Sequence, residues 1–356
     1  MLSWFQRIPG GLMIVPLLVG AILSTIDRAH WPPIQRLLRF LGAPPIPSSP
    51  DAAGTGEVYE FLQIGSFATA LTGVGASTLI AMFLVCVSAQ MDFGVGRRAV
   101  KKGAIITVVK LFVAIGCGYA IAATSDPFNG WFGLSLVAVL AAMSNGNGGL
   151  YLALTGQYGD RSDVGAVSVI SLNDGPFFTL VALGILGERF PIAAFLGVLM
   201  PMALGFTIGQ VSDEARRFLA PGEKLCIPFF AFALGTTMNF SVFLDASVLI
   251  GGIILGLATV FLTGPACALA LCLCGERETI AGFAEASTAG NAIQTPLAVS
   301  IATGLAVQEN SLAYEAIIPT ATAQISISVI LSAILCPLVV VFVKGRLHTA
   351  ASQSPK

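Results

Sequence analysis

Two short segments concentrate amides, hydroxyls and glycines within stretches that are otherwise apolar. The first reads Ser-Asn-Gly-Asn-Gly-Gly at 144–149, and the second reads Glu-Ala-Ser-Thr-Ala-Gly-Asn-Ala-Ile-Gln-Thr-Pro at 285–296. Side chains of these types hydrogen-bond hydroxyl and carboxylate groups, and glycine with asparagine favours an interrupted helix. They supply the candidate substrate-binding residues Ser144, Asn145, Asn147, Gly148, Gly149, Ser287, Thr288, Gly290, Asn291, Gln294 and Thr295.

Each segment is predicted to break a membrane helix near mid-depth. Non-helical backbone is tolerated there only against protein or a water-filled cavity, because hydrocarbon cannot satisfy freed N–H and C=O groups. Each break also presents the N-terminus of a half-helix, at 148–151 and 292–295, where free N–H groups and a partial positive charge suit an anion. The pattern indicates a polyhydroxylated carboxylate as the ligand. The alternative is tight helix crossing through small residues.

Ionisable residues within apolar stretches are the second set of candidates, since burial in a membrane is costly unless it serves a function. Asp174 and Glu285 lie deepest in the predicted spans, whereas Asp92, Lys110, Asp245 and Glu315 lie nearer their ends. A buried carboxylate can take up a proton near neutral pH. Asp174, Glu285 and the adjacent Asn173 are therefore the candidates for ion or proton coupling, with a hydrogen-bonded structural role as the alternative.

The chain contains no motif typical of a metalloprotease, an ATP-driven pump or a Cys-based metal site. There is no HExxH helix, no GxxxxGK[ST] phosphate loop and no CxxC pair among the seven cysteines. The sequence therefore predicts no catalytic residue, no metal ligand and no cofactor. A net charge of −1 gives no indication of a nucleic-acid partner.

The elements that carry these residues are long apolar segments. Of the 356 residues, 55% are hydrophobic and 10% are charged, and the mean hydropathy is +0.86, whereas soluble domains carry roughly a quarter charged residues. Spanning a bilayer takes about 20 apolar residues as a helix. The sequence predicts an all-α integral membrane protein with ten spans at 8–26, 67–92, 102–123, 131–157, 164–186, 190–210, 225–243, 246–274, 279–304 and 314–343.

Basic residues give the expected orientation of these spans. Cytoplasmic loops hold the excess of lysine and arginine, and the cluster Arg97-Arg98-Ala-Val-Lys101-Lys102 dominates one side. Both termini are therefore predicted to be cytoplasmic. Residues 27–60 form a long loop on the opposite side, rich in proline, and its segment 34–41 (Ile-Gln-Arg-Leu-Leu-Arg-Phe-Leu) could lie along the outer surface of the membrane.

The chain also contains a weak internal repeat. Pro16-Leu-Leu-Val-Gly20 resembles Pro201-Met-Ala-Leu-Gly205, the run from Phe83 to Phe93 resembles that from Phe230 to Phe240, and 144–147 resembles 288–291. Two halves of five spans each must have opposite orientation in the membrane. We expect a first inverted repeat at 1–187 and a second at 188–356, with broken helices as spans 4 and 9.

Several motifs together resemble the bacterial 2-keto-3-deoxygluconate permease family. They are Ile8-Pro-Gly-Gly-Leu-Met-Ile-Val-Pro16, Asn147-Gly-Gly-Leu-Tyr151, Gln157-Tyr-Gly159, Gly175-Pro176, Ile227-Pro-Phe-Phe-Ala-Phe-Ala-Leu-Gly235, Ala289-Gly290 and Thr295-Pro296. The resemblance implies a fold of the bile-acid-symporter and arginine-transporter kind. In that fold a scaffold of spans 1, 2, 6 and 7 carries a moving core of spans 3–5 and 8–10, an elevator arrangement.

The function implied by the resemblance is proton-coupled import of 2-keto-3-deoxygluconate or a related sugar acid across the bacterial inner membrane. The expected partners are the sugar acid, a coupling proton or sodium ion and the lipid bilayer, while a homodimer is left open. A sodium-coupled organic-anion symporter of the same fold is the alternative, because side-chain and carbonyl oxygens could ligate Na⁺. An intramembrane enzyme that pairs Asp174 with Glu285 is the alternative from another class.

Overall fold

The computed structural model describes residues 11–46, 57–91, 96–173, 175–305 and 311–353. Within these ranges the backbone is helical apart from turns and one isolated antiparallel bridge between Ile46 and Val58. Predicted features at 1–10, 47–56, 92–95, 174 and 306–310 lie outside the described residues. The predicted all-α class is confirmed for the part that is described.

The first half contains ten described helices, three of which have only four or five residues. They are α1 Gly11–Arg28, α2 Pro32–Phe40, α3 Ser66–Ala70, α4 Ala76–Ala89, α5 Arg97–Thr124, α6 Leu136–Ser144, α7 Gly148–Tyr158, α8 Arg161–Gly165, α9 Val167–Ile170 and α10 Phe177–Ile185.

The second half contains longer helices and a π-helical turn at Thr259–Thr263. Its helices are α11 Ile192–Val211, α12 Asp213–Gly235, α13 Ala246–Ala258, α14 Gly264–Leu273, α15 Ile280–Ala284, α16 Thr295–Leu305, α17 Ser311–Ala316 and α18 Ile318–Gln353.

Among the described residues, seven helical segments are long and apolar enough to cross a membrane, or eight if a bent pair counts as one span. The pair joins 161–173 to α10 through a bend of 67°. Gly73–Ala89 is a shorter apolar helix. The chain is thus a multi-pass membrane protein.

Two predicted spans differ from the observed helices in ways that have a clear local cause. The seventh, predicted at 225–243, is α12 at Asp213–Gly235. The side chain of Ser212 accepts a hydrogen bond from the N–H of Ala215 and starts the helix early, so that α12 includes a charged turn that hydropathy alone excludes. The fifth, predicted as one helix at 164–186, is interrupted by a 3₁₀ turn at Ser171–Asn173. Pro176, which follows that turn, cannot supply a backbone N–H.

The long helices pack as two groups. The first group, α1, α4, α11 and α12, is held by glycines at close helix crossings. A Cβ on Gly20 would overlap the carbonyl oxygen of Phe232, and one on Gly205 would overlap that of Val85. The second group comprises α5, α6, α7, α13, α14, α15 and α18, and it contains both helix breaks.

The loop after α1 folds over the end of the first group. Asp27 is buried, and its carboxylate accepts hydrogen bonds from the N–H groups of Phe61 (2.8 Å) and Leu62 (2.9 Å). Helix α2, predicted to lie along the surface, buries Leu38 and exposes Phe40. This amphipathic pattern agrees with an interfacial position.

A network of charges gathers at the N-terminal end of α5. Lys102 is fully buried and pairs with Asp163, and its ammonium lies 3.3 Å from both carboxylate oxygens of Asp160. Arg98 donates to Glu276 at 2.9 Å. The network joins α5 to the loop before α8 and to the loop before α15, and so fixes the end of the second group.

Candidate functional site

The two breaks predicted from the sequence are both present. Helix α6 ends at Ser144 and α7 begins at Gly148, so Asn145, Gly146 and Asn147 lie between them in non-helical conformation. Helix α15 ends at Ala284, and the chain then runs through an extended stretch and a 3₁₀ turn at Gly290–Gln294 before α16 begins.

The breaks contact each other directly. The Asn145 amide donates to Asn291 Oδ1 at 3.0 Å, and the Ala289 N–H donates to the carbonyl oxygen of Asn145 at 3.0 Å. A third bond runs from the N–H of Asn147 to the hydroxyl of Ser287 at 3.2 Å. The interrupted backbone is thus satisfied by the opposite break rather than by its own helix. The two breaks therefore face each other.

The N-terminus of α7 is capped within its own chain. Asn147 Oδ1 accepts from the N–H of Leu150 at 3.1 Å, as an N-cap residue does. Its side chain is therefore engaged locally, although the residue is half-buried at the crossing. Gly148 is half-buried and Gly149 is exposed.

A buried lysine, which sequence reasoning placed near the end of a span, lies at the crossing instead. Helix α5 begins at Arg97, so Lys110 lies about 20 Å along it at 1.5 Å per residue. Its ammonium donates to the carbonyl oxygens of Glu285 (2.7 Å) and Ser287 (2.9 Å), and lies 3.3 Å from Glu285 Oε1. Both side chains of the pair are almost fully buried, at 1% and 2% exposure.

The position of Gly146 leaves no room for a side chain. A Cβ there would overlap the carboxylate of Glu285 and lie 2.7 Å from Lys110 Nζ. The first break thus passes directly over the ion pair that is anchored in the second.

Helix α18 supplies contacts that were not predicted. The N–H of Thr288 donates to the hydroxyl of Ser332 at 2.9 Å, and the hydroxyls of Thr288 and Ser328 lie 2.7 Å apart. Ser328 and Ser332 are one turn apart on an apolar helix, and Gln324 continues the same face. This four-residue spacing of polar side chains is the signal that could have identified them.

Several polar atoms at and around the breaks are buried without a hydrogen-bond partner in the described protein. They are Ser144 Oγ, Asn145 Oδ1, Asn173 Oδ1, Glu285 Oε2 and both polar atoms of the Gln294 amide. Burying a polar atom without a hydrogen bond costs free energy, so such atoms usually mark a site that binds a ligand, a proton or water. Together they offer both donors and acceptors.

The remaining predicted residues divide into three cases. Asn173 reaches the first break, where its amide donates to the carbonyl oxygen of Ser144. Thr295 is buried at the first residue of α16. Asp174, predicted as a coupling carboxylate, lies outside the described residues.

Comparisons with known proteins agree with one another. The family described as 2-keto-3-deoxygluconate permease matches residues 58–349. The chain is 41% identical to 2-keto-3-deoxygluconate permease 1 of Salmonella typhimurium over 348 residues, which cover 98% of this chain and 96% of that protein. It is 32% identical to the 2-keto-3-deoxygluconate permease of Bacillus subtilis over 356 residues, which cover 98% and 95% of the two chains.

Proposed function

The chain belongs to the 2-keto-3-deoxygluconate permease family, and from this premise we propose that it imports 2-keto-3-deoxygluconate, or a closely related sugar acid, by proton symport. The family and the relatives are permeases rather than enzymes. The proposed location is the bacterial inner membrane with both termini in the cytoplasm, which the clustering of basic residues favours.

The observation that carries the proposal is the crossing of the two breaks. Helix N-termini attract anionic groups, and the start of α7 lies at this crossing beside buried amide and hydroxyl groups. A sugar acid has one carboxylate and several hydroxyls, so it needs a positive region surrounded by mixed donors and acceptors. Residues 144–149 and 287–295 are the proposed substrate site.

Ten spans remain the proposed architecture. The seven long helices and the bent pair give eight spans. Two further apolar segments bring the number to ten: Gly73–Ala89, and the broken segment formed by α15 and α16. An interrupted span is tolerated where neighbouring protein satisfies its backbone.

Contacts between equivalent residues support two inverted repeats, at 1–187 and 188–356. Phe83 and Phe230 correspond in the repeat, and their rings contact each other at 5.5 Å. Asn145 and Ala289 also correspond, and they share a backbone hydrogen bond. Contact between a residue and its own equivalent is typical of positions beside a two-fold axis.

The two packing groups support an elevator mechanism. Helices α1, α4, α11 and α12 form the proposed scaffold, and the group that contains both breaks forms the core. Close packing is concentrated within each group, and the 3₁₀ turn at Gly290–Gln294 is one of the few elements that touch both. A boundary with few contacts permits one group to move against the other.

Uptake by purified protein in liposomes tests the proposal. Labelled 2-keto-3-deoxygluconate should accumulate above equilibrium when the outside is acidic, and a protonophore should abolish that accumulation. An imposed sodium gradient without a pH difference should have no such effect. Accumulation driven by sodium alone would favour the sodium-coupled alternative, and no uptake under either gradient would contradict both.

A further inference from the structure

The Lys110 ammonium lies where broken helices of transporters commonly hold a metal cation. In such sites, unwound carbonyl groups and a carboxylate coordinate Na⁺. Here the carbonyl oxygens of Glu285 and Ser287 and the Oε1 of Glu285 surround Lys110 Nζ at 2.7, 2.9 and 3.3 Å. We propose that Lys110 is a resident cation that takes the place of a coupling Na⁺, so that this transporter runs on protons. The inference rests on the proposed function and specifies its coupling.

The geometry leaves the ammonium fully engaged. An ammonium has three N–H donors and no acceptor, and three oxygens of the second break surround this one. The backbone of Gly146 covers it from the first break, since a Cβ there would lie 2.7 Å from Nζ. A buried cation is stable only when it is paired and hydrogen-bonded in this way. Na⁺ could enter only by displacing the lysine.

Among the residues that the structure describes, the carboxylate of Glu285 is the group left for the coupling proton. Other titratable groups near the pair are Tyr151, Cys267 and Cys336, and each is bonded elsewhere. The Tyr151 hydroxyl donates to the Asp163 carbonyl, the Cys267 thiol to the Ile106 carbonyl, and the Cys336 thiol to the Phe283 carbonyl. Glu285 Oε2, by contrast, is buried without a partner.

Charge balance explains how the resident cation couples the proton to the substrate. With Glu285 ionised, the pair with Lys110 is neutral and attracts an anion weakly. With Glu285 protonated, the positive charge of Lys110 is uncompensated and favours the substrate carboxylate. Proton and anion thus bind more tightly together than separately, which is the linkage that symport requires.

Lys110→Met tests the inference, because methionine keeps most of the aliphatic stem and removes the ammonium. The oxygens of Glu285 and Ser287 should then accept Na⁺. We expect NaCl to raise the melting temperature of this variant by a few degrees in a saturable manner, relative to choline chloride. Adding Glu285→Gln to Lys110→Met should remove the response.

Ile106→Ala is the matched control, since Ile106 is fully buried one turn before Lys110 on the same helix. For wild type, the melting temperature should be the same in NaCl as in choline chloride. The same should hold for Ile106→Ala when it is compared with itself in the two salts. A folded Lys110→Met without a sodium response, or a wild type stabilised by sodium, would overturn the inference. If Lys110→Met does not fold, the inference is tested by wild type alone, through its melting temperatures in NaCl and in choline chloride. The melting measurement uses no substrate, so failure of the proposed function is separate and appears as absent uptake.

Discussion

Gly146 is the residue whose size matters most at the crossing. A Cβ there would overlap the Glu285 carboxylate, so Gly146→Ala must separate the breaks or displace the ion pair. A displacement of about 1 Å at a binding constellation can cost about 100-fold in rate. We expect uptake by Gly146→Ala to fall by roughly that factor, measured at matched amounts of protein in the membrane.

Gly156 offers the control for that substitution. It lies in α7, and a Cβ there would have no atom within 4 Å outside its own helix. Gly156→Ala should transport normally, because alanine in a helix interior is favourable relative to glycine. Equal uptake by the two variants would contradict the contact between Gly146 and Glu285.

Sequence reasoning identified the polar residues of the breaks better than the residues that support them. Asn145, Ser287 and Asn291 stand out because amides and hydroxyls are unusual beside glycines in an apolar segment. Lys110 was assigned near the end of a span, because hydropathy starts that span at 102 whereas α5 starts at Arg97. Its partner comes from a segment 175 positions away, and no local pattern predicts such a pairing.

At the scale of elements, Asp160 ties the start of α8 to α5. Its side chain caps α8 by accepting from the N–H groups of Ser162 and Asp163. Burial raises the pKa of Asp160, but hydrogen bonds from Ser162 and Asp163 and the Lys102 ammonium lower it more, to about 2 overall. The carboxylate therefore stabilises the fold at pH values above about 4, and this stabilisation is lost as the pH falls towards about 2.

Asp160→Ala should lower the unfolding free energy by about 1–2 kcal/mol near pH 7, since an N-cap is lost. The difference from wild type should shrink below about pH 4, where the wild-type carboxylate begins to lose its advantage. Thermal unfolding in detergent at several pH values measures both effects. Asp213→Ala is the control, because Asp213 is largely exposed and lies 3.9 Å from Arg216. A pH-independent difference for Asp160→Ala would contradict the assigned role of its charge.

Element boundaries were predicted less well than the existence of the elements. Hydropathy located apolar segments, but it placed the start of α12 twelve residues too late, because that helix begins in the charged run after Ser212. The bend before α10 was also missed, although Asn173 and Pro176 flank it. Capping and turn residues set these limits, and they are weaker signals than a long apolar run.

At the scale of the whole molecule, one covalent bond should stop the proposed movement between the two groups. A Cβ on Gly290 would lie 3.8 Å from the Cβ of Met13 on α1, within the range of disulfide geometry. The double variant Met13→Cys with Gly290→Cys should cross-link on oxidation and lose at least about 90% of its uptake, if transport requires a millisecond rearrangement of the groups. Reduction should restore it.

The single variants Met13→Cys and Gly290→Cys control for the substitutions and for the oxidant. In each single variant, oxidation should leave the rate of uptake as it was before the oxidant was added. A fully cross-linked double variant that transports at the rate of its reduced form would exclude movement at this boundary.

Proton uptake on substrate binding tests most directly whether the crossing binds a sugar acid together with a proton at Glu285. Calorimetric titration of 2-keto-3-deoxygluconate in two buffers of different ionisation enthalpy gives the number of protons taken up. Linkage predicts up to about one proton per substrate for wild type and none for Glu285→Gln, which should still bind. Binding by wild type without proton uptake, or equal uptake by Glu285→Gln, would contradict the account.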